Sequence, residues 1–461
     1  MYTQQEKKNP VIVYGTTPDY VKKIFQRSPD KVFFIIDRQF RDDPFLCDVG
    51  KDLLLFIDIE DCQGSIKTIL QHFKERDLTP VGMACYDCES LFSASELVHE
   101  LNIDFPSRNS VRLARNKVIS KQLWRKANIS CPNAIIASNQ EETLTFYGEL
   151  NNEIVLKPVS SSGSELVFHC RNKQEVIESV GTMASQLKAR RHNPFYRRIY
   201  NDSLDPCKSW VVEEYISGPE FSCDFILQDG RLTILRMSGK VKDREQSFGS
   251  ILAYLIPPIF PDGLSYSSLK SLFKKAVTSL GFNKGFFMAD FIVHEGVPYI
   301  IEVSPRPGGD SIPYLIGIAT GIDILGLHLD FVSGRLKNPD YIPAPNKQYA
   351  SINLYAPKEG IISEIDAAEI YRLPWVKGVF IKRKVNDRVI LPPDDYESRK
   401  IGYVIAAIEP SWNLVKTRQI LQQNLQLSII DHPPSWAKVP ENKFQVFMVA
   451  GNETNQEHKT T

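Results

Sequence analysis

Two carboxylates in the sequence, Asp290 and Glu302, each stand inside a strongly apolar run. Glu295-Gly296 between them predicts a tight turn, so the two runs are expected to pair as antiparallel strands and bring the carboxylates together. Burying an unpaired carboxylate is costly, so such groups are normally ion-paired or bound to a metal. Facing carboxylates with room for further oxygen ligands suit Mg²⁺. A structural ion pair, for instance of Glu302 with Arg306, is the alternative.

This hairpin resembles the metal-binding strands of the ATP-grasp superfamily, in which an acidic residue is followed about a dozen positions later by Glu-x-Asn-x-Arg and then by glycines. Asp290, Glu302 and Arg306 match that pattern. Ser304 stands where the family usually has asparagine. The resemblance implies that Asp290, Glu302 and Ser304 hold one or two Mg²⁺ ions, with Mn²⁺ as a substitute, and that the chain binds ATP.

The same resemblance assigns two lysines to the ATP phosphates. Arg115-Asn116-Lys117 resembles the family's Asp-Lys element, and Lys157 ends a predicted strand at the expected distance beyond it. A lysine is a point charge suited to phosphate, and a loop of small residues lets backbone N–H groups approach the oxygens. The Walker pattern is absent, so a surface loop is the alternative for the segment after Lys157 alone. The loop residues expected at the nucleotide are Ser161, Ser162, Gly163 and Ser164.

Residues 211–222 resemble the strand, turn and strand of the superfamily's hinge. By that resemblance Glu213 and the backbone of Ile216 face the adenine edge, and Glu214 is among the expected ATP contacts. Glu220 would take the ribose hydroxyls. A carboxylate can accept hydrogen bonds from an amine or a diol, and the backbone can both donate and accept. Exposed acids on an ordinary hairpin are the alternative for this segment alone.

The resemblance implies phosphoryl transfer from ATP to a substrate carboxylate, giving an acyl phosphate that an amine attacks. Arg306 would steady the transferring phosphoryl group, and Gly308 and Gly309 would present backbone N–H groups to the carboxylate. Because alternate residues of a strand share one face, the side chains of Glu302, Ser304 and Arg306 are all expected to point into the cleft. Lys240, expected just after a strand that faces the same cleft, is a second catalytic candidate, with an exposed loop lysine as the alternative. The run 306–313, with its following apolar helix, most resembles the L-amino-acid ligases, which join two amino acids or an acyl acid and an amino acid.

Two other interpretations stay open. One is a bicarbonate-activating carboxylase or a nucleotide-biosynthesis ligase of the same superfamily, although the sequence has no biotin-attachment Met-Lys-Met. The other is a non-catalytic nucleotide-binding regulatory protein, for which Ser304 would be the sign and the retained lysines and carboxylates the counter-argument. The sequence does not name the two substrates, because the residues that select them lie on loops without a readable code.

The elements that must position these residues form an α/β part followed by α+β parts. From Pro10 to about Arg115, buried strand patterns alternate with amphipathic helical patterns, which predicts a parallel sheet. Gly15 ends the first strand, but Gly-Thr-Thr-Pro is not G-x-G-x-x-G, so an ordinary βα turn is favoured over a nicotinamide site. A proline-rich segment from Asn338 to Asn346 reads as a linker.

The predicted organisation is an ATP-grasp fold with a Rossmann-like pre-ATP-grasp domain and a small C-terminal β-rich domain. Its boundaries are 1–115 for the first domain, 116–337 for the ATP-grasp domain and 338–450 for the last. A mobile lid subdomain is expected at about 130–212, and a disordered tail at 451–461. The basic segment 186–209 is either a solvated insertion or a loop that closes over phosphates.

Bulk composition excludes several other classes. Lys+Arg and Asp+Glu balance at 55 each, so no long-range field attracts nucleic acid or an anionic membrane. The N-terminus lacks a secretory pattern and no apolar run reaches membrane-spanning length, so a cytoplasmic location is expected. The expected partners are small carboxylate and amine substrates, neither nucleic acid nor membrane, and a second copy of the chain in a homodimer.

The eight cysteines are scattered, which favours reduced thiols over a disulfide framework. Cys85-Tyr86-Asp87-Cys88 is the single C-x-x-C, and it lacks the second ligand pair of a zinc site. A redox role is its alternative. The histidines form no H-E-x-x-H, which argues against a zinc hydrolase.

Overall fold

The computed structural model describes residues 9–59, 61–159, 163–191, 204–336 and 345–431. Its N-terminal part is a parallel four-stranded sheet of order β3-β2-β1-β4, as the sequence predicts. The strands are β1 (Val11–Tyr14), β2 (Val32–Asp37), β3 (Leu54–Ile57) and β4 (Gly82–Ala84). The helices are α1 (Pro18–Arg27), α2 (Cys62–Glu75) and α3 (Leu91–Leu101), with 3₁₀ turns at Arg38–Phe40, Pro44–Leu46 and Lys51–Leu53.

The strand order of this sheet reverses between β1 and β4. In open α/β sheets, ligand sites lie at such a switch point, outside the carboxyl ends of the strands. Because helices cover both faces, the central strands are buried throughout, as the four residues of β1 illustrate. The carboxyl ends of β1 and β4 are therefore the expected place for a ligand on this sheet.

Two helices lead out of this part, α4 (Arg108–Arg115) and α5 (Lys117–Lys126). Asn116 separates them and caps α5, since its side-chain oxygen accepts from the N–H groups of Val118 and Ile119. Trp124 anchors α5 to the central core through a hydrogen bond from its indole nitrogen to the Ala276 carbonyl, 3.1 Å away. This rigid link fixes where Lys117 begins its helix.

The lid unit is an antiparallel four-stranded sheet of order β5-β8-β6-β7. Its strands are β5 (Ala134–Ala137), β6 (Ile154–Pro158), β7 (Phe168–Cys170) and β8 (Trp210–Glu214). Helices α6 (Gln140–Leu150) and α7 (Lys173–Ala189) bury one face of the sheet against Ile154, Leu156 and Val212. Because side chains alternate along a strand, Lys157 and Glu213 lie on the opposite face.

The central sheet has eight antiparallel strands in the order β13-β12-β9-β10-β11-β14-β18-β16. The strands from the predicted ATP-grasp region are β9 (Glu220–Gln228), β10 (Arg231–Lys242), β11 (Ile251–Ile256), β12 (Gly285–His294) and β13 (Val297–Ser304). The others are β14 (Gln348–Tyr355), β16 (Val376–Ile381) and β18 (Lys400–Ile408). The sheet therefore continues across the predicted boundary at 338, since β11 pairs directly with β14.

The remaining helices cover the central sheet. They are α8 (Tyr266–Ser279), α9 (Ile312–Thr320), α10 (Ile324–Val332), α11 (Ala368–Tyr371) and α12 (Leu414–Gln423). A small antiparallel sheet of order β17-β15-β19 completes the C-terminal part, with β15 (Gly360–Asp366), β17 (Arg388–Val389) and β19 (Gln426–Ile430). In the described ranges no single helix is long and apolar enough to cross a membrane; α9 and α10 satisfy that test only as a pair bent by 104°.

The lid unit rests on the C-terminal part through Arg190. Its Nη2 donates to the carbonyls of Pro393 and Asp394 at 2.6 and 2.7 Å, and its Nε donates to Glu165 at 2.7 Å. Gln186 adds a 2.7 Å bond to Asp394. The side chains at the start of the predicted basic insertion are therefore hydrogen-bonded to other parts of the chain. Residues 192–203 of the insertion lie outside the described ranges.

Candidate functional site

The predicted hairpin of β12 and β13 brings Asp290 and Glu302 directly opposite each other in the strand register. Glu295 and Gly296 form its turn with φ angles of 48° and 78°, the left-handed pair that a two-residue hairpin requires. On its other side Asp290 pairs with Ser222 of β9. The geometric part of the sequence prediction is thus borne out at this position, since the two carboxylates meet on adjacent strands.

Lys240 requires a correction, because it lies inside β10 and not in a loop after a strand. Its Nζ contacts Asp290 Oδ2 at 2.5 Å and Glu220 Oε1 at 2.9 Å. Lys242 contacts the other oxygen of Glu220 at 3.2 Å. Glu220, predicted at the ribose, is therefore engaged by two lysines, and their charges hold its pKa at about 2 although burial alone would raise it.

The predicted lysines influence the pKa of Glu302. Burial by itself raises the pKa of a carboxyl group, yet that of Glu302 is held below its ordinary value. The cause is the positive charge of Lys117, Lys240 and Lys157. The two predicted phosphate-binding lysines and the predicted catalytic Lys240 therefore act on one carboxylate.

Asp290 differs from Glu302 in a way that fits a divalent cation. Burial raises the pKa of Asp290 above its ordinary value. Lys240 pulls that pKa down, while the negative charges of Glu302 and Glu220 push it up. Among the described residues Asp290 Oδ1 is buried and has no hydrogen-bond partner. An orphaned carboxylate oxygen opposite a second carboxylate suits Mg²⁺, which takes one or two protein carboxylates and completes its shell with substrate oxygens and water.

No all-protein metal site competes with this interpretation. Within the ranges that the structure describes, no group of three or more His, Cys, Asp or Glu side chains could hold an ion. Ser304, the third predicted ligand, is buried at the end of β13, and its hydroxyl oxygen lies 3.7 Å from Cys88 Sγ. A site with two carboxylates is consistent with a cation that arrives together with a phosphate ligand.

A buried carboxylate on the lid sheet, Glu213, is shared by two lysines. Its Oε2 lies 2.6 Å from Lys157 Nζ and its Oε1 lies 2.8 Å from Lys121 Nζ. Lys121 also donates to the carbonyl of Ile301, beside Glu302, at 2.9 Å. The Glu213 side chain is therefore turned towards Lys157, and its predicted place at the adenine edge remains a prediction.

Lys121 was missed by the sequence reasoning, although a signal existed. It follows Lys117 by one helical turn, so both lysines lie on the same face of α5. Its side chain is fully buried, with 0% exposure. Since an isolated buried ammonium is costly, such a position demands a carboxylate partner, which Glu213 supplies.

Lys117 is the first residue of α5, as its place behind the capping Asn116 requires. Burial lowers its pKa to about 7, and the charge of Arg115 adds to that shift while Glu302 opposes it. Additional negative charge from an anionic ligand would restore the charged form of this lysine.

The remaining predicted nucleotide contacts are only partly visible. Ser161 and Ser162 lie outside the described residues. Gly163 and Ser164 both have left-handed backbones, with φ of 67° and 61°. A Cβ on Gly249, which follows β10, would lie 2.9 Å from the Ser164 side chain, so the small-residue loop contacts the central part closely.

The hinge segment holds two further predicted contacts. Glu214 accepts hydrogen bonds from the backbone and side-chain nitrogens of Asn133 at 3.2 and 2.8 Å. Ile216 is buried just beyond β8. Tyr215 between them stacks on His169 of β7, with ring centroids 4.0 Å apart. Aromatic rings therefore line this end of the lid sheet, on the face that carries Lys157.

Arg306 also requires a correction. The prediction treats residues 302, 304 and 306 as one strand face, but β13 ends at Ser304 and the Arg306 N–H donates to the Ser304 carbonyl at 2.9 Å. Pro305 and Pro307 flank Arg306, and proline cannot donate to a neighbouring strand. The alternative ion pair with Glu302 is not what holds Arg306, because its Nε donates to Cys88 Sγ and its Nη1 to the Pro307 carbonyl.

Gly308 is the third correction, since its N–H is already used inside the protein. It donates to Asp224 Oδ1 at 2.8 Å. Asp224 is in turn bound by Arg236 through Nε at 2.8 Å and Nη2 at 3.0 Å, and both side chains are almost fully buried. A Cβ on Gly308 would lie 2.2 Å from Arg236 Nη2, so only glycine fits. The predicted carboxylate contact therefore rests on Gly309 alone, beside Arg306.

Comparisons with known proteins agree with this geometry. A family model for the ATP-grasp domain matches residues 150–313. An uncharacterized protein y4rH of Sinorhizobium fredii is 25% identical over 336 residues, 70% of this chain and 63% of its own length. Dapdiamide A synthase of Enterobacter agglomerans is 20% identical over 255 residues, which are 55% of this chain and 56% of that protein. The chain thus spans less than two thirds of the length of these curated relatives.

The solved structures include an L-amino acid ligase from Bacillus licheniformis, which superposes with a TM-score of 0.73 at 18% identity. The match covers 92% of this chain and 99% of that one. The chain therefore has the ATP-grasp fold, and the predicted fold class is confirmed. The predicted resemblance to the ATP-grasp superfamily is confirmed as well, and an L-amino acid ligase is among the structures that share the fold.

The shared carboxylate yields a stability prediction. Lys121→Met should lower the free energy of unfolding by roughly 3 kcal/mol, because it leaves buried Glu213 with one partner fewer. Combining it with Glu213→Gln should cost less than the sum of the two single changes, by about 1–3 kcal/mol. Urea denaturation of the four proteins measures this coupling. Lys126→Met, on the exposed side of α5, is the control and should change stability by about 0.5 kcal/mol or less. Strict additivity would contradict the pairing.

Proposed function

We propose that this chain, which has the ATP-grasp fold, is an ATP-dependent carboxylate–amine ligase. It would join two amino acids, or an acyl acid and an amino acid, through an acyl phosphate, releasing ADP and phosphate. The observation that carries the proposal is the grouping of Asp290 and Glu302 with three lysines whose charges converge on Glu302. Such a site balances the charge of a polyphosphate and a cation together.

The two carboxylates suit the cation that accompanies ATP. Asp290 and Glu302 would hold Mg²⁺, or Mn²⁺ in its place, and the ion would neutralise phosphate charge when bound. Lys240 already lies 2.5 Å from Asp290. The ammonium keeps Asp290 in position and contributes positive charge beside the phosphates.

The chain's own residues would then act mainly by positioning and charge. The charges of Lys117 and Lys157, which belong to two different units, lower the pKa of Glu302 and would balance the phosphate oxygens as charge moves during transfer. The Arg306 guanidinium is buried, so its interaction with a transferring phosphoryl group is weakly screened by water. Transfer of the acyl group to the amine benefits from this exclusion of water, because water would otherwise hydrolyse the acyl phosphate.

The loop that carries Arg306 is held in one conformation from several sides. Asp224 and Arg236 fix Gly308 from the central sheet. Asp310 accepts from Lys400 of β18 at 2.6 Å, and its carbonyl accepts from the Tyr20 hydroxyl of α1 at 2.8 Å. A loop fixed on three sides can keep a catalytic group within the small tolerance that chemistry requires.

Amino acids are the favoured substrates because an L-amino acid ligase superposes with a TM-score of 0.73, and because a curated relative is named as a dapdiamide synthase. A bicarbonate-activating carboxylase or a nucleotide-biosynthesis ligase would use the same ATP chemistry on other acceptors. A non-catalytic regulatory protein would bind nucleotide without turnover. A cytoplasmic location and a homodimer belong to the same proposal.

A substrate screen tests the function directly. The purified chain is incubated with ATP, Mg²⁺ and pairs of amino acids, while phosphate release and product mass are followed. The proposal expects release that requires both an acid and an amine, together with a product of the condensed mass. Release with bicarbonate alone would support the carboxylase, and binding without release would support the regulatory protein. Either of these results would overturn the ligase.

The metal assignment predicts unequal effects of two isosteric changes. Glu302→Gln should abolish ligation, since it removes the carboxylate on which three lysines act, a loss of several kcal/mol of transition-state stabilisation. Asp290→Asn should weaken ligation and raise the Mg²⁺ concentration needed for half-maximal rate. Glu295→Gln, at the exposed tip of the same hairpin, is the control. Near-normal phosphate release by both variants would contradict the metal assignment and indicate that the two carboxylates have a structural role.

Arg306→Lys separates a ligase from a nucleotide binder. Lysine cannot reproduce the two-pronged grip of a guanidinium on phosphoryl oxygens. Turnover should fall by roughly a hundredfold or more, while affinity for a non-hydrolysable ATP analogue stays within about threefold. Calorimetry and phosphate-release kinetics measure the two quantities, with the exposed Arg231→Lys as control. Unchanged turnover, or equal loss of affinity and turnover, would contradict the catalytic role.

A further inference from the structure

The segment after β4, residues 85–90, connects the N-terminal sheet with the loop that carries Arg306. Cys85 starts the segment with its thiol bonded to the Asp87 carbonyl, and Asp87 Oδ1 accepts from the Ser90 N–H at 2.7 Å. Gly15, after β1, packs so tightly here that a Cβ would lie 1.9 Å from Ser90 Oγ. The segment is therefore held in place by its own hydrogen bonds and by the neighbouring strand end.

Cys88 of this segment contacts the two ends of the bend that follows β13. Arg306 Nε donates to Cys88 Sγ at 3.0 Å, and Ser304 Oγ lies 3.7 Å from the same sulfur. Cys88 is 4% exposed and Arg306 is 9% exposed, so the contact is shielded from solvent. A thiol more than two hundred residues away in sequence thus bridges the strand end and the arginine.

A thiol is an unusual partner for a buried arginine. Arginine normally meets carboxylates in bidentate pairs, which satisfy the guanidinium and neutralise its charge. Sulfur is a weak acceptor and brings no formal charge as a thiol. It can therefore orient the Nε edge of Arg306 while leaving the positive charge available to an anion.

We propose that Cys88 is a positioning residue, through which the N-terminal domain sets the orientation of the Arg306 guanidinium for phosphoryl transfer. This inference rests on the proposed ligase function. It also gives Cys88 of the C-x-x-C motif a role that needs neither a disulfide nor a zinc ion. The eight cysteines, all in described ranges, form no disulfide bond with one another.

The test compares four variants by calorimetry and by phosphate-release kinetics with the substrate pair found for the native chain. Cys88→Ala removes the acceptor and should lower kcat by about tenfold or more, with the Kd of a non-hydrolysable ATP analogue within about twofold. Cys88→Ser keeps an acceptor atom and should recover part of the rate. Cys85→Ala removes a buried thiol from the same segment without removing the acceptor of Arg306, and it should leave kcat within about twofold.

The decisive variant is the double change Cys88→Ala with Arg306→Lys. Lysine has no Nε–H to be oriented, so losing Cys88 should then cost no further rate. Full additivity of the two losses would overturn the inference, as would native turnover in Cys88→Ala. Equal losses of kcat in Cys88→Ala and Cys85→Ala would overturn it too, because they would show that the effect comes from altered packing of residues 85–90. If the native chain releases no phosphate with any substrate, the ligase proposal itself fails, an outcome distinct from all of these.

Discussion

Glu213 is a carboxylate buried on the inner face of the lid sheet, and two ammonium groups share it. A buried carboxylate is tolerated only with such partners, and each partner comes from a different unit of the chain. Lys157 belongs to the lid, whereas Lys121 belongs to the helix link and also grips the strand of Glu302 through the Ile301 carbonyl. Because buried Glu213 requires both lysine partners, its contacts hold the lid sheet, the helix link and the central sheet in a fixed relative position.

The rest of the site follows from that arrangement. Lys117 of the helix link, Lys157 of the lid sheet and Lys240 of the central sheet all lower the pKa of Glu302 by their positive charge. Positive charge thus gathers at Glu302, while Asp290 Oδ1 has no hydrogen-bond partner among the described residues. A bound cation would coordinate the Asp290 oxygen, and the phosphate oxygens attached to it would pair with the lysines. Such a ligand would make the burial of so many charged groups energetically acceptable.

The parts of the site that depend on local sequence patterns can be predicted from the sequence. The Asp290–Glu302 pairing follows from strand alternation and a two-residue turn, and both are local. Lys240 is expected just after a strand, whereas β10 continues through Gly239 to Lys242 and Pro258 packs close to Gly239. Arg306 was misjudged because the prolines that end β13 were not weighed. The contacts of Gly308 with Asp224, and of Arg306 with Cys88, join distant segments and carry no local signal.

The central claim is that ATP cleavage passes through a phosphorylated substrate carboxylate. Oxygen tracing tests it most directly. A carboxylate substrate labelled with ¹⁸O in both oxygens is ligated with unlabelled ATP in unlabelled water, and the released phosphate is analysed by mass spectrometry. The account predicts that each released phosphate carries one ¹⁸O, because the acyl–oxygen bond breaks when the amine attacks. Unlabelled phosphate released in step with product would contradict the acyl-phosphate route.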